Sequence, residues 1–474
     1  MGRVLLLSLD GACREALSLM LPRMPALRKL IEKHGLHGLR STVPPTTAPA
    51  WASIQTGMNP GKHGIIDFLS YSRADGRTSL VNSLAIRGRS MWEAITASGM
   101  RVITVNVPLS YPPARDRRRV TVGCMLSPKV SPDMVYPAEI YPVLRRNSYT
   151  ILPGFIGRGI AVGLERFVDE CIRVEESRFA VAEELMEAYD WDVAAVHNQC
   201  LDALQHCFYH LLLGGTEEER EELGRFYAAA DRLIERLIRR AGRVSMLAVF
   251  SDHGFTLAER YINLNLWLKR RGYLKEKNSG LAYRLALLLR RMDVLRLRNL
   301  LLSRLFRNSL PFVKLRTELS LSRIDTHRSR AFIPVGATFG CIYLGGGSEA
   351  GLRERLKREL EGITDPASGR RVIARVYLRE EVYRGEHAPG LPELVAEPAE
   401  GYAFGPQLLG EGRFIRAARH GTELSGAHAM QGVLVMNTKL IASEPELLDI
   451  APSVLAALNL QVPEWMEGRV LQAR

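Results

Sequence analysis

Acidic and histidine residues recur in this sequence where buried apolar runs end. They are Asp10 after Val4–Leu9, Asp202 and His206 after Val193–Val196, Asp252 and His253 after Met246–Phe250, and His428 in a late Gly-Ala-His-Ala stretch. Carboxylate oxygen and imidazole nitrogen together suit zinc, manganese or iron better than calcium. The i, i+4 spacing of Asp202 and His206 places both side chains on one face of a helix, which is a chelating arrangement. The set therefore predicts a transition-metal site.

Each member of this set also has a purely structural explanation. The alternatives are a helix cap at Asp10, a surface pair at Asp202 and His206, a turn at Asp252-His253-Gly254, and an ordinary buried histidine at His428. The metal hypothesis depends on the joint occurrence of all these residues along one chain.

A second candidate feature is the segment Pro44-Pro45-Thr46-Thr47-Ala48-Pro49. Two consecutive prolines require an extended approach, and helical residues after Pro49 place Thr47 near a helix N terminus. A hydroxyl group there meets oriented backbone N–H groups that favour a bound anion. We therefore expect Thr47 to act on an anionic substrate, and the structural alternative is that Thr46 or Thr47 only caps the helix.

The elements that must position these residues follow an α/β pattern. Short runs rich in Val, Ile, Leu and Ala alternate with amphipathic stretches, which is typical of a largely parallel sheet with helices on both faces. In such sheets ligands bind at the carboxyl ends of the strands. The predicted organisation is a catalytic core over 1–274 and 324–474, a basic helical insertion or cap over 275–323, and a small αβ excursion at about 330–420.

Cysteine spacing and apolar runs restrict the class of protein. The six cysteines include no CxxC pair, which argues against a disulfide framework and a cysteine zinc site. The first apolar run is too short for a signal sequence, and no run reaches the roughly 18 to 20 apolar residues that span a bilayer. We therefore expect a cytoplasmic protein, and the sequence indicates no specific protein partner.

The net charge of +13 is concentrated in one segment. Residues 275–323 contain twelve Lys or Arg and three Asp or Glu, an excess of nine positive charges. This excess could contact an anionic membrane or a polyanion. It also supports an alternative from a different class, a non-catalytic protein that binds anionic lipid or nucleic acid.

Taken in order, these motifs resemble the alkaline phosphatase superfamily, and within it the type I phosphodiesterase/nucleotide pyrophosphatase branch. The matching positions are Asp10, Thr47 with Thr56-Gly57 and His63-Gly64-Ile65, Asp202 with His206, Asp252-His253-Gly254, and His428. Segments such as Asn106–Pro112 and Ile262–Leu268 also resemble uncharacterised prokaryotic members. The resemblance covers nearly the whole chain except Leu281–Pro311, and it implies an alkaline-phosphatase-like three-layer sandwich with a helical cap insertion.

The resemblance also implies the ligands and the mechanism. One divalent ion would be held by Asp202, His206 and His428, and a second by Asp10, Asp252, His253 and the Thr47 oxygen. Both ions are expected to be zinc, with manganese as the alternative. Two such ions suit an in-line displacement at phosphorus. Thr47 would attack the phosphoryl group of a small-molecule phosphoester and form a phospho-threonine that water then hydrolyses.

The substrate prediction starts from a departure from the family pattern. Characterised phosphodiesterases carry an asparagine a few residues after His-Gly-Ile, and this chain has Phe68 at that offset. Phe68 and Trp51 are expected to form apolar walls for the second organic group of a diester or nucleotide pyrophosphate. The alternative is a phosphomonoesterase or another phosphoryl-transfer member. A sulfatase is disfavoured, because its nucleophile lies in a Cys/Ser-x-Pro-x-Arg context.

Overall fold

The computed structural model describes residues 2–153, 159–277, 321–334, 338–405, 412–441 and 443–472. The predicted basic insertion over 275–323 lies mostly outside these ranges, since residues 278–320 are not among them. Its helical cap and its contact with a membrane or polyanion therefore stay predictions. Within the described ranges, no helix is both long enough and apolar enough to cross a membrane.

The strands and helices alternate along the chain as the apolar pattern predicts. The strands are β1 Val4–Leu9, β2 His37–Arg40, β3 Leu69–Tyr71, β4 Thr78–Leu80, β5 Val102–Val105, β6 Arg119–Val122, β7 Val135–Tyr136, β8 Val193–Asn198, β9 Met246–Phe250, β10 Gly254–Ile262, β11 Ala331–Phe332, β12 Gly340–Leu344, β13 Ile373–Leu378, β14 Leu394–Pro398, β15 Gly401–Phe404, β16 Ile415–Ala417, β17 Gly426–Ala429 and β18 Gln431–Met436. The helices are α1 Arg14–Met20, α2 Pro25–His34, α3 Thr47–Thr56, α4 Pro60–His63, α5 Met91–Ala97, α6 Tyr141–Arg146, α7 Gly159–Val162, α8 Leu164–Ala188, α9 Cys200–Gly214, α10 Glu217–Ala241, α11 Leu264–Arg270, α12 Leu352–Glu361, α13 Arg379–Val382 and α14 Ile450–Ala457.

A central eight-stranded sheet has the order β2-β18-β9-β1-β8-β5-β6-β7. The neighbouring strands from β9 to β6 run parallel, and the outer pairs are antiparallel. All six residues of β1 are buried, as expected for a strand covered on both faces. This arrangement confirms the predicted α/β class with a largely parallel sheet.

Helices cover both faces of this sheet, so the core has three layers. Leu5 and Leu7 of β1 pack with α8, α9 and α10 on one face. Val4 and Leu6 pack with α3, α5 and α14 on the other face. Because the strand alternates its side chains, one apolar run supplies both cores.

A smaller antiparallel sheet, β11-β12-β14-β13, packs with α12 around a separate apolar core. It lies within the predicted excursion at about 330–420. The Tyr383 hydroxyl donates a hydrogen bond of 2.8 Å to the Val43 carbonyl, one residue before Pro44-Pro45. The small sheet is thereby joined to the segment that leads into α3.

Candidate active site

Two of the candidate ligand groups follow directly from adjacent parallel strands. Asp10 directly follows β1, and Gly11 turns the chain with φ of 68°, a conformation that favours glycine. Asp252 and His253 follow β9, which is the neighbour of β1. A Cβ atom at Gly254 would lie 2.0 Å from the Gln431 carbonyl oxygen, so this position requires glycine. The carboxyl ends of β1 and β9 therefore bring three ligand candidates together.

The other ligand candidates arrive on a helix and a late strand. Asp202 and His206 lie on α9, which begins just after β8. His428 lies on β17, which pairs antiparallel with β10 so that Phe255 faces His428. Because β10 starts directly after His253, this pairing places His428, which comes late in the chain, at the carboxyl end of the central sheet.

Thr47 is the first residue of α3, and Thr46 occupies the N-cap position with extended backbone angles. The Thr46 side chain makes no capping hydrogen bond; its hydroxyl donates instead to the Thr338 hydroxyl at 3.2 Å. The Thr47 hydroxyl oxygen lies 3.3 Å from His253 Nε2. Of the two threonines, Thr47 is the one directed at the ligand candidates.

Asp202, His206 and His428 form a first group, which we call the histidine-rich cluster. His206 Nε2 lies 2.9 Å from His428 Nε2 and 3.3 Å from Asp202 Oδ1. His428 Nε2 lies 3.1 Å from the same carboxylate oxygen. Three potential ligand atoms thus meet at one point.

The second nitrogen of each ring fixes which nitrogen faces this point. His206 Nδ1 lies 2.9 Å from the Gly426 carbonyl oxygen, and His428 Nδ1 lies 2.9 Å from the Pro45 carbonyl oxygen. Since a carbonyl oxygen only accepts hydrogen bonds, each Nδ1 must carry the hydrogen. In the neutral rings both Nε2 atoms then present lone pairs to the cluster, which is the tautomer that binds a metal ion.

Asp10, Asp252 and His253 form a second group, which we call the carboxylate-rich cluster. His253 Nε2 lies 3.3 Å from Asp10 Oδ1 and 3.7 Å from Asp252 Oδ2. His253 Nδ1 faces the Gly254 carbonyl oxygen at 3.1 Å, so Nε2 again carries the lone pair. The Thr47 hydroxyl completes this set of oxygen and nitrogen donors.

Two buried oxygens of the carboxylate-rich cluster, Asp10 Oδ1 and Asp252 Oδ2, accept no hydrogen bond from the described residues. Burial, followed by repulsion from Asp202, raises the pKa of Asp10 well above its usual value. Burial, followed by repulsion from Asp10, raises the pKa of Asp252 to about 7. Two buried carboxylates cannot both ionise cheaply without a cation between them. This electrostatic conflict fits a bound divalent ion.

The spacing of the potential ligand atoms around His253 Nε2 is also close to that around a metal ion. In a tetrahedral zinc site with bonds of about 2.0–2.2 Å, ligand atoms are about 3.3–3.6 Å apart. The His253 Nε2 distances to Asp10, Asp252 and Thr47 are 3.3, 3.7 and 3.3 Å. The His253 and His428 rings stack at 3.7 Å between centroids, so the two clusters are direct neighbours.

The structure excludes the helix cap suggested for Asp10 and the surface turn suggested for Asp252 and His253. The N-cap of α1 is Cys13, not Asp10. Asp252 and His253 are fully buried rather than placed in a surface turn. Burial opposes ionisation of Asp202, but the adjacent His206 and His428 hold its pKa below the usual range. The structure therefore brings all seven predicted catalytic and metal-ligating residues to one place.

The two predicted substrate walls have different positions. Trp51 is 1% exposed and packs against His197 and Phe250 inside the core, so the expectation that it lines the substrate site is wrong. It lies on the sheet-facing side of α3. Phe68 is partly exposed and packs against a small cluster that includes Ala48 and Ala52 of α3. Only Phe68 can still contact a substrate.

Two residues outside the predicted set of ligands, nucleophile and substrate walls also contact the site. His197 Nε2 lies 3.2 Å from Asp10 Oδ2, and burial lowers the pKa of His197 to about 4. The Thr338 hydroxyl lies 3.5 Å from His428 Nδ1. His197 stands at the end of β8, so its strand-end position was an available signal. Thr338 lies two residues before β12 of the small sheet, and no pattern in the sequence indicated that it would reach the site.

Residues 4–423 match the model of the type I phosphodiesterase/nucleotide pyrophosphatase family. The chain belongs to this family. Membership makes it a phosphoric ester hydrolase and confirms the predicted resemblance and enzyme class. The family depends on metal ions, in agreement with the two clusters. No curated protein matches the chain in sequence.

Solved structures of other proteins with this fold align with nearly the whole length of this chain. Phosphonoacetate hydrolase from Sinorhizobium meliloti 1021, in complex with phosphonoformate, superposes with a TM-score of 0.59 at 16% identity, covering 96% of this chain and 95% of the other. Murine ectonucleotide pyrophosphatase/phosphodiesterase 5, an inactive variant in complex with AMP, gives 0.55 at 14% identity, covering 98% and 96%. At such identities the likeness concerns the fold alone.

Proposed function

We propose that this protein hydrolyses phosphate diesters or pyrophosphate-type bonds of nucleotides with two divalent ions and a phospho-threonine at Thr47. The observation that carries the proposal is the convergence at His253 Nε2. The Thr47 hydroxyl meets two buried carboxylates there, and one oxygen of each lacks a hydrogen-bond donor among the described residues. A threonine hydroxyl that coordinates a metal ion at this point would become a competent nucleophile.

The histidine-rich cluster would hold the first ion through Asp202, His206 and His428. The carboxylate-rich cluster would hold the second ion through Asp10, Asp252 and His253, together with the Thr47 oxygen. When bound, the two ions would lower the pKa of the nucleophile and stabilise the leaving oxygen. Zinc suits this mixture of imidazole and carboxylate ligands, and manganese is the alternative.

The protein's own groups orient the reaction. Thr47 starts α3, so its hydroxyl lies beside N-terminal backbone N–H groups that favour the phosphoryl oxygens. The carbonyls of Pro45, Gly426 and Gly254 hold the three ligating rings in one tautomer. His253 places its lone pair 3.3 Å from the Thr47 oxygen. The nucleophile is therefore fixed before the substrate arrives.

The relatives support this chemistry by analogy. The inactive variant of ectonucleotide pyrophosphatase/phosphodiesterase 5 replaces a threonine with alanine and binds AMP. A second relative binds phosphonoformate. We propose a small phosphoester as the substrate here, with Phe68 against its second organic group. We also propose the cytoplasm as the location of the protein.

A hydrolysis assay on bis-para-nitrophenyl phosphate tests the proposal. Chelated protein, checked by elemental analysis, should be inactive, and zinc or manganese should restore turnover. The corresponding aryl monoester and phosphonoacetate serve as competing substrates. A higher kcat/KM for the monoester would favour the phosphomonoesterase alternative, and full activity without metal would contradict the proposal.

A further inference from the structure

His197 occupies a fully buried position between the first strand and the carboxylate-rich cluster. It lies on β8 directly opposite Ser8 of β1 in the parallel register. Its Nδ1 atom lies 3.1 Å from the Ser8 hydroxyl oxygen, and its Nε2 atom lies 3.2 Å from Asp10 Oδ2. Both ring nitrogens therefore have a polar partner.

These partners determine the direction of the hydrogen bonds. Asp10 must be ionised to bind a metal ion, and an ionised carboxylate can only accept, so in the metal-bound protein His197 Nε2 carries the hydrogen that faces it. The Ser8 hydroxyl, which can donate, then donates to Nδ1. Asp10 Oδ2 is satisfied in this way, while Asp10 Oδ1 has no donor among the described residues and faces His253 Nε2.

The His197 ring packs against α3, the helix that begins with Thr47. The Trp51 ring meets it edge to face with 5.2 Å between centroids. Trp51 lies four residues after Thr47 on α3, so it stands one turn below the nucleophile on the same helix. The Asn106 side chain donates to the His197 carbonyl at 3.0 Å and fixes the backbone.

We propose that His197 is a positioning residue that directs one oxygen of Asp10 to the second ion. The proposal rests on the proposed function, because it assumes that Asp10 is a ligand. Donation to Oδ2 leaves Oδ1 as the oxygen for the ion, and Oδ1 lies 3.3 Å from His253 Nε2, the atom that the Thr47 hydroxyl also contacts. Hydrogen-bonded partners of metal ligands orient those ligands and tune their affinity, and their loss costs about 10- to 100-fold in metal affinity.

Two substitutions at His197 separate its hydrogen bond from its bulk. His197→Phe keeps a ring against Trp51 but removes the donor, and His197→Gln keeps an N–H donor. Metal-free protein is titrated with zinc by calorimetry, and Co²⁺ absorption reports the ligand field. The ion at Asp202, His206 and His428 is the control within the same molecule.

We expect His197→Phe to weaken binding of the ion in the carboxylate-rich cluster by about 10- to 100-fold, while the ion in the histidine-rich cluster keeps its affinity. His197→Gln should recover most of the loss. Weakening of the ion in the histidine-rich cluster alone would overturn the proposal. Unchanged affinity for both ions in His197→Phe would overturn the proposal, as would equal weakening of both. If His197→Phe does not fold by circular dichroism, Ser8→Ala, which frees Nδ1, should weaken the same ion to a smaller extent, and no effect there would overturn the proposal.

The proposed function and the role of His197 can be contradicted separately. Wild-type protein that binds two ions but hydrolyses no phosphoester would contradict the function and leave the His197 comparison readable. Wild-type protein that hydrolyses the diester, with both zinc affinities unaffected by His197→Phe, would contradict only the role of His197.

Discussion

The two clusters contain the same kinds of residues but differ in burial and charge balance. In the histidine-rich cluster the side chains of Asp202, His206 and His428 are 20%, 26% and 8% exposed. In the carboxylate-rich cluster those of Asp10 and His253 are 2% and 0% exposed. The first cluster balances one carboxylate with two imidazoles, whereas the second places two carboxylates beside one imidazole.

This difference has an electrostatic consequence. Its neighbouring imidazoles keep the pKa of Asp202 low despite burial, whereas burial and mutual repulsion raise the pKa of Asp10 and Asp252. The carboxylate of the histidine-rich cluster is therefore ionised before a metal ion binds. The carboxylate-rich cluster is electrostatically strained without a cation, and this strain is located beside the Thr47 hydroxyl.

The largest effect should come from the hydroxyl that faces the carboxylate-rich cluster. Thr47→Ala should reduce kcat on an aryl diester by at least about 10³-fold, because it removes the nucleophile. Thr46→Ala, whose hydroxyl contacts Thr338 instead, is the matched control and should have a mild effect. Steady-state kinetics with saturating zinc checks both variants. The reverse ranking would place the nucleophile one residue earlier.

Neutralising one carboxylate in each cluster should have opposite effects on the metal-free protein. Asp252→Asn removes a repelled charge and should raise the free energy of unfolding at pH 8 by about 1–3 kcal/mol. Asp202→Asn removes the partner of two imidazoles and should lower it. Urea denaturation of chelated protein measures both changes. Equal signs would contradict the electrostatic difference between the clusters.

Zinc affinity should depend on pH differently at the two clusters. Asp252, whose pKa is raised to about 7, must lose a proton to bind an ion. Asp10 of the same cluster, whose pKa is also raised, must lose its proton as well. Zinc affinity at this cluster should therefore fall as pH drops below about 7, by at least about tenfold per unit. Asp202 is already ionised in this range, since its pKa is lowered. Protonation of the imidazole ligands lowers zinc affinity at both clusters, but calorimetric titrations at pH 5.5, 6.5 and 7.5 should show the steeper loss at the carboxylate-rich cluster. Two parallel profiles would refute the difference.

The smallest effect concerns the substrate rather than the ions. Phe68→Ala should raise KM for an aryl diester by less than about tenfold, since it trims one partly exposed apolar wall. Both zinc affinities should stay unchanged. Leu19→Ala, at an exposed apolar residue on α1, controls for general surface effects. A change in zinc affinity with Phe68→Ala would mean that this residue supports the clusters instead.

The sequence allowed the ligands to be predicted because their positions follow local rules. Asp10 ends an apolar strand, and Asp202 and His206 have helical i, i+4 spacing. Trp51 was placed wrongly because all ten residues of α3 are buried, so no polar face indicates which side meets the sheet. The strand-end position of His197 can be read from the sequence, but its hydrogen bond with Ser8, 189 residues away, depends on strand register, which no local pattern reveals.

The most direct test of the two-cluster account is a zinc-edge anomalous map from crystals of the reconstituted protein. The account predicts two peaks per chain, one contacting Asp202, His206 and His428 and the other contacting Asp10, Asp252, His253 and the Thr47 oxygen. A single peak, or a second peak out of contact with Thr47, would contradict it.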